Sequence, residues 1–301
     1  MSRETSRGMA SVALVCEVFR LSRAAYYAAL KRVRDAGVSG AKRAQRAVHQ
    51  LRAPAAATAE VVLTAIRAVV AEHPAWGVRK VWCMLRRDHD LRVSRRRVWA
   101  LMHAHGLVLS ASARDIEPVP RGHVTTELPN RRFATDMTLA WTRRDGWVGI
   151  FPTVDCGCRS VLGLVVDVCQ DAATALASVR MALQTAFGAP DAVPEGVELR
   201  TDHGAVYTGQ DCQDLCDAWN LQHTLSPIGR PTGNSVVERV NRTLKEEVVW
   251  LRDWESAEEL RAALMAWQVT YNERRPHQAL GYATPAEHRA AKLLGHLAEA
   301  A

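Results

Sequence analysis

Residues 132–168, RFATDMTLAWTRRDGWVGIFPTVDCGCRSVLGLVVDV, decide the fold of this chain. Three apolar-leaning runs lie inside this stretch, at 132–138, 146–154 and 160–168, and only short polar connections separate them. Antiparallel strands can be joined by such short connections, whereas parallel strands need a long crossover. The stretch therefore predicts three successive antiparallel strands.

The elements downstream alternate between helices and strands. The apolar patterning predicts helices at 172–187, 211–219, 236–252 and 257–273, and strands at 197–201 and 221–225. Strands mixed with helices in this order predict an α/β domain whose mixed five-stranded sheet has flanking helices.

The N-terminal part lacks strand patterns and predicts all-α helix-turn-helix units. One unit covers 9–34, where Ser22 is a candidate N-cap, and a second covers 59–107. In the second unit Ser94 precedes a helix that Gly106 ends. The predicted organisation is a helix-turn-helix with linker over 1–58, the second unit over 59–107, a proline-bearing connector over 108–130 and an α/β core with C-terminal helices over 131–290.

The net charge of +7 over 301 residues conceals an asymmetry. Residues 1–132 hold 24 Lys and Arg against 10 Asp and Glu, while residues 133–301 hold 15 against 22. The basic part favours binding of a large anion, of which nucleic acid is the common one, although a solvated basic face without a partner has the same composition. Arg95, Arg96 and Arg97 open a helix, where a recognition helix meets DNA.

Three acidic residues are candidate catalytic and metal-binding groups. Asp136 lies in the first predicted strand, Asp202 follows the fourth, and Glu238 lies near the start of a helix, with 35 residues between the last two. Carboxylates converging from two strands and a helix are ligands for a divalent metal ion such as Mg²⁺, which serves phosphodiester chemistry. Taken singly, Asp136 could cap a loop, Asp202 could close a turn, and Glu238 could favour a helix N-terminus.

Other classes of protein are disfavoured by the sequence. No apolar run reaches the roughly 18 residues of a membrane span, and the N-terminus lacks the apolar segment of a signal peptide, so we expect a cytoplasmic location. The seven cysteines include no paired set with zinc-site spacing, which favours free thiols.

Motifs along almost the whole chain resemble the DDE-type insertion-sequence transposases, specifically the second-reading-frame class whose integrase core is related to retroviral integrases. The resemblance rests on Trp76–Lys80, Val93–Met102, Asn130–Thr138, Thr201–Thr208, Gly229–Glu238 with Thr243–Glu247, and Tyr271–Glu287. It implies an RNase H-like fold, two Mg²⁺ or Mn²⁺ ions, and Asp136, Asp202 and Glu238 as catalytic metal ligands.

The resemblance also implies partners. The expected partner is double-stranded DNA, both the terminal inverted repeats of an element and the target DNA. The protein is expected to form a homo-oligomer when bound to DNA, with an upstream-frame transposase subunit as a possible further partner. Such a protein would be associated with the nucleoid. It places a basic residue at Lys245 near the DNA end, and it includes Arg79 and Lys80 in a helix-turn-helix module as candidate DNA contacts. The implied function is metal-dependent DNA cleavage and strand transfer during DNA transposition.

Two alternatives use the same residues. The chain could be a catalytically inactive or repurposed DNA-binding regulator derived from a transposase, although its three intact carboxylates disfavour decay. It could also be a structure-specific nuclease on the same fold, against which the two helical units argue, since such units offer sequence-selective reading of duplex DNA.

Overall fold

The computed structural model describes residues 22, 24, 27, 57–109, 126, 128–226 and 234–300. The chain divides into two compact units, 1–58 and 59–301. Most of the helix-turn-helix predicted at 9–34, most of the predicted linker and most of the connector predicted at 108–130 lie outside the described residues.

Three helices open the second unit: α1 (Ala59–Glu72), α2 (Val78–Arg87) and α3 (Arg95–Ala104). Ser94 caps α3 as predicted, because its side-chain oxygen accepts a hydrogen bond from the Arg97 backbone N–H. Gly106 follows α3 with a positive φ of 67°, which a residue without Cβ adopts freely. The helices pack through buried aliphatic side chains, among them Ile66, Leu85 and Met102.

A mixed sheet follows, and every predicted strand is present in it. Its strands are β1 (Arg132–Thr135), β2 (Thr138–Thr142), β3 (Gly146–Asp155), β4 (Val161–Asp167), β5 (Val197–Thr201) and β6 (Leu221–Leu225). The first four form the predicted antiparallel meander, while β1 pairs with β5, and β5 with β6, in parallel. β1 therefore lies at the centre of the sheet.

The prediction of five strands was wrong by one, because the first strand is broken. β1 and β2 pair with β3 in one continuous register, with Thr135 beside Thr153 and Thr138 beside Ile150. That register puts Asp136 opposite Pro152, which has no N–H to donate to a strand ladder. The strand accordingly breaks at Asp136, and the sheet has six strands.

Helices cover both faces of the sheet. One face packs α4 (Ala172–Phe187) and α6 (Gln210–Ala218), and the other packs α7 (Ser235–Glu247) and α8 (Ala257–Glu273). Two further helices, α5 (Ala205–Thr208) and α9 (Pro285–Ala300), were not predicted. The helix predicted over 236–252 ends early at Glu247 and continues as a single 3₁₀ turn, Val249–Leu251, whose Val249 carbonyl accepts a hydrogen bond from the Trp254 indole.

One buried charge connects the sheet to the C-terminal helix. Asp155, at the end of β3, is fully buried, and its carboxylate accepts hydrogen bonds from the backbone N–H groups of Asn130 and Gly157. It also pairs with Arg289 of α9 at 2.9 Å. Among the described residues, no helix is both long enough and apolar enough to cross a membrane.

Candidate active site

Asp136 and Asp202 lie side by side at the ends of two neighbouring parallel strands. β1 ends at Thr135 and β5 ends at Thr201, one residue before each carboxylate. The strands pair with Ala134 beside Arg200, and the same offset two residues further puts Asp136 beside Asp202. Neighbouring strands are roughly 4.8 Å apart, so the fold brings these two residues together at one edge of the sheet.

Glu238 reaches the same edge from the first turn of α7. Two buried amides hold this helix against β1: Asn234 donates to the Thr135 carbonyl at 3.1 Å, and Asn241 donates to Asp136 Oδ2 at 2.9 Å. Glu238 is four residues after Asn234 and three before Asn241, so all three lie on one helix face. The two hydrogen bonds therefore aim the Glu238 face of α7 at Asp136.

The electrostatics at this edge show an excess of negative charge. Burial and then repulsion from Asp202 raise the pKa of Asp136 to about 6, and Glu238 adds to the repulsion. Hydrogen bonds from the Met137 N–H and from Asn241 oppose the rise but do not cancel it. Burial also raises the pKa of Glu238. A cation placed among these groups would relieve the repulsion.

The donor set fits a hard divalent cation. Each Asp136 oxygen accepts one hydrogen bond, which leaves a lone pair on each for a metal ion. Asp202 Oδ1 accepts the Gly204 N–H at 2.9 Å, and a Cβ added at Gly204 would come within 3.0 Å of that oxygen. A glycine two residues after Asp202 thus keeps one side of the carboxylate clear. Carboxylate oxygens are the ligands that Mg²⁺ and Mn²⁺ prefer.

The three carboxylates are further apart than the ligands of one compact cluster. The ligand atoms of Asp136, Asp202 and Glu238 are not all within 4.8 Å of one another, and the one described group that meets this criterion is Cys212, Cys216 and His223. That second group comes from α6 and β6, and sequence spacing alone did not reveal it. His223 is close to the strand end that carries Asp202, because its Nε2 is 2.9 Å from the hydroxyl of Thr201, the residue before Asp202.

The predicted DNA contacts have different environments. Arg95 and Arg96 are exposed at the start of α3, and Arg97 beside them is half-buried. Lys245 is half-buried on α7, seven residues after Glu238, and forms no ion pair among the described residues. Lys80 instead pairs with Glu247 at 2.8 Å, and Arg79 donates to Gln278. These last two side chains connect α2 to the core.

Sequence reasoning missed the two residues that position the triplet. Asn234 and Asn241 are buried amides, and each has an Oδ1 atom without a hydrogen-bond partner among the described residues. Their spacing around Glu238, one turn before and one turn after, is a signal that the sequence contains. Asp155 is a further acidic residue of the core, but it has a structural role, because its side chain is buried and pairs with Arg289.

Family models match most of the described chain. An HTH-like domain model matches residues 58–114, and two models described as Integrase core domain match residues 126–231 and 220–285. The second and third matches together contain Asp136, Asp202 and Glu238. The integrase core is a divalent-metal-dependent catalytic domain, in agreement with the donor set above.

Curated relatives have the same character. The chain is 26% identical over 235 residues to Transposase InsD for insertion element IS2A/D/F/H/I/K from Escherichia coli, a match covering 75% of this chain and 77% of the relative. Transposase InsD for insertion element IS2-9 from Escherichia coli strain K12 matches at the same identity, covering 75% and 76%.

Solved structures with similarity to the chain include retroviral integrases. A simian T-cell lymphotropic virus intasome with PP2A regulatory subunit B56 gamma aligns with a TM-score of 0.46 and 19% identity over 74% of each chain. The HTLV-2 integrase catalytic core domain in complex with magnesium aligns with a TM-score of 0.39 and 16% identity, covering 54% of this chain and 97% of that one. With an HTH-like domain, an integrase core and InsD relatives, the chain belongs to the DDE-type insertion-sequence transposases of the second-reading-frame class.

Proposed function

We propose that Asp136, Asp202 and Glu238 are the catalytic metal ligands with which this transposase cuts and joins DNA. The observation that carries the proposal is the in-register placement of Asp136 beside Asp202, with α7 hydrogen-bonded to Asp136. Asp136, central on the sheet, would hold Mg²⁺ or Mn²⁺ together with Asp202 and Glu238, and we propose that two ions bind. When bound, such an ion pair stabilises the attacking and leaving oxygens of an in-line phosphodiester displacement.

The protein's own contribution is positioning. Asn241 holds one oxygen of Asp136, and the Met137 N–H holds the other, so the carboxylate has a fixed orientation before any ion binds. Asn234 ties the start of α7 to the residue before Asp136, which fixes the distance from Glu238 to the sheet. A preformed ligand set avoids reorganisation during the reaction.

The substrate of the proposed site is double-stranded DNA at the ends of an insertion element. The relatives named InsD are transposases of the insertion element IS2, and the HTH-like domain exposes Arg95 and Arg96 at the start of a helix. Two element ends require two active sites, so we propose a homo-oligomer on DNA, with an upstream-frame subunit as a further component. A DNA substrate puts the site of action at the nucleoid.

The test is cleavage of DNA that carries the element's own ends, taken from the sequence flanking its gene. With Mg²⁺ present, we expect the parent protein to nick this DNA. Asp202→Asn and Glu238→Gln should lose more than the roughly 10–100-fold that removal of a supporting partner costs. Glu258→Gln, at an exposed position of α8, is the matched control and should cut normally. Full activity in Glu238→Gln would remove that residue from the ligand set.

A further inference from the structure

A cavity of about 470 Å³ lies beside α7, next to the face that carries Glu238. Its walls come from the start of α2, from α7 and from the segment 271–282, so it joins the HTH-like domain to the integrase core. Five of its lining side chains are basic and none is acidic; they are Arg79, Lys80, Arg159, Arg239 and Arg275. A concave site with this charge is suited to an anion.

Two of the five cations are held in place by one acid. Glu247 pairs with Lys80 at 2.8 Å and with the buried Arg275 at 2.9 Å. Burial and repulsion from Arg275 lower the pKa of Lys80 to about 8, so it remains charged near neutral pH. One carboxylate therefore offsets only part of two positive charges.

The other cations of the lining add to the positive potential, and no acidic lining residue offsets it. Neither Arg159 nor Arg239 takes part in the ion pairs of the described residues, in which Glu247 pairs with Lys80 and Arg275 and Asp155 with Arg289. Burial and the neighbouring Arg275 lower the pKa of His277 to about 3, which keeps this lining residue neutral. Gly77, the N-cap of α2, offers no side-chain cap, and an added Cβ there would meet nothing within 4 Å. The start of α2 therefore has open space beside Gly77.

We propose that this cavity binds one phosphodiester group of the DNA backbone, with Arg239 and Arg159 as the contacts. The inference rests on the proposed function, because Arg239 is the residue after Glu238 and a phosphate held there would fix the strand beside the metal ligands. Guanidinium groups form paired hydrogen bonds with phosphate oxygens, which suits a backbone contact without base specificity. The contact would also couple α2 of the HTH-like domain to the core.

The salt dependence of DNA binding tests this directly. The full chain is titrated in EDTA, where no cleavage occurs, with a fluorescein-labelled random-sequence duplex at several salt concentrations. The slope of log affinity against log salt counts the phosphates neutralised, at about 0.9 for each. The variants are Arg239→Gln, Arg159→Gln and their double. Arg180→Gln, an exposed arginine on α4 across the sheet, is the control with the same charge change.

A single phosphate held by both arginines predicts a non-additive result. The slope of the double variant should be smaller by about 0.9, the value for one phosphate, and its affinity should be lower by about tenfold. Each single variant should lose no more than the double variant. Arg180→Gln should match the parent. A slope loss of about two in the double variant would mean two separate contacts and would overturn the shared site, as would slopes equal to that of Arg180→Gln. Melting curves equal to the parent's are required of every variant compared.

The outcome separates this inference from the proposed function. If the parent cuts element ends with Mg²⁺ while the pocket variants bind like Arg180→Gln, the pocket assignment fails and the catalytic one stands. If the parent does not cut but the double variant loses slope, the pocket stands and the catalytic assignment fails.

Discussion

The side-chain amide of Asn241 donates a 2.9 Å hydrogen bond to the carboxylate of Asp136, which joins α7 to the central strand of the sheet. The Oδ1 atom of the same amide is buried and has no hydrogen-bond partner among the described residues, so this side chain contributes only the one hydrogen bond to stability. A buried polar group retained at such a cost is expected where it orients another group. We therefore treat Asn241 as a positioning residue for Asp136.

Asn241→Ala should lower DNA cleavage by about 10–100-fold, the usual cost of losing a partner that orients a metal ligand. The free energy of unfolding should fall by about 1–3 kcal/mol, because Asp136 Oδ2 loses its side-chain donor. Cleavage rates and urea melts of parent and variant measure both effects, with Gln184→Ala, an exposed amide on α4, as control. Parental cleavage by Asn241→Ala would contradict the positioning role.

Pro152 is expected to keep the first strand broken at Asp136. Its carbonyl accepts a hydrogen bond from the Thr135 hydroxyl, which shows that this edge of Pro152 faces β1. A residue with a backbone N–H at this position would point that N–H toward β1 as well. Pro152→Ala restores this donor and should let the ladder continue through Asp136, which would turn its carboxylate. We predict a roughly tenfold loss of cleavage for a displaced catalytic group, without loss of thermal stability. Pro190→Ala, in an exposed turn, should leave cleavage unchanged, and equal rates in the two variants would refute the effect of Pro152.

The raised pKa of Asp136 predicts a stability that depends on pH in metal-free buffer. The folded pKa of about 6 exceeds the unfolded value, so the folded state binds more protons between the two values and loses stability as pH rises through 6. Asp136→Asn removes this loss and should stabilise the protein near neutral pH by on the order of 1–3 kcal/mol, with no gain below about pH 4. Thermal melts in EDTA at both pH values measure this. A variant that is no more stable than the parent near neutral pH would contradict the electrostatic account.

Arg289 should matter for folding and not for chemistry. Arg289→Ala leaves the fully buried Asp155 with backbone donors alone, and we expect a loss of about 3 kcal/mol in the free energy of unfolding. Arg143→Ala, which breaks an exposed pair with Asp253, should cost less than about 1 kcal/mol. Urea denaturation compares the two variants. An equal, small cost for both would show that the Asp155 pair is not a structural tie.

Local sequence signals predicted the elements well. The helices at 172–187 and 257–273 begin where predicted because Asp171 and Ser256 cap them. The side chain of each cap accepts a hydrogen bond from the backbone N–H three residues later. The strand break at Asp136 could not be predicted in this way, since it depends on which residue of β3 lies opposite. Strand register is a long-range property.

The triplet was predicted from motif and spacing, whereas its surroundings were not. The partner of Asp155 is 134 residues away in sequence, and that of Lys80 is 167 residues away. Such pairings follow from tertiary packing, which one sequence does not display. For the same reason the environment of Lys80 was not predicted. Lys80 was expected to contact DNA because of its position on a helix, but it forms an internal ion pair with Glu247 and lines the cavity beside α7.

Binding of Mn²⁺ to the full chain tests the central assignment most directly, because it needs neither the element's DNA nor turnover. Calorimetric titration near neutral pH should show Mn²⁺ binding by the parent and its loss in Asp136→Asn, with Asp191→Asn, an exposed carboxylate, binding like the parent. The bound ion should also raise the melting temperature of the parent but not that of Asp136→Asn. Equal Mn²⁺ affinity in the parent and Asp136→Asn would contradict the account.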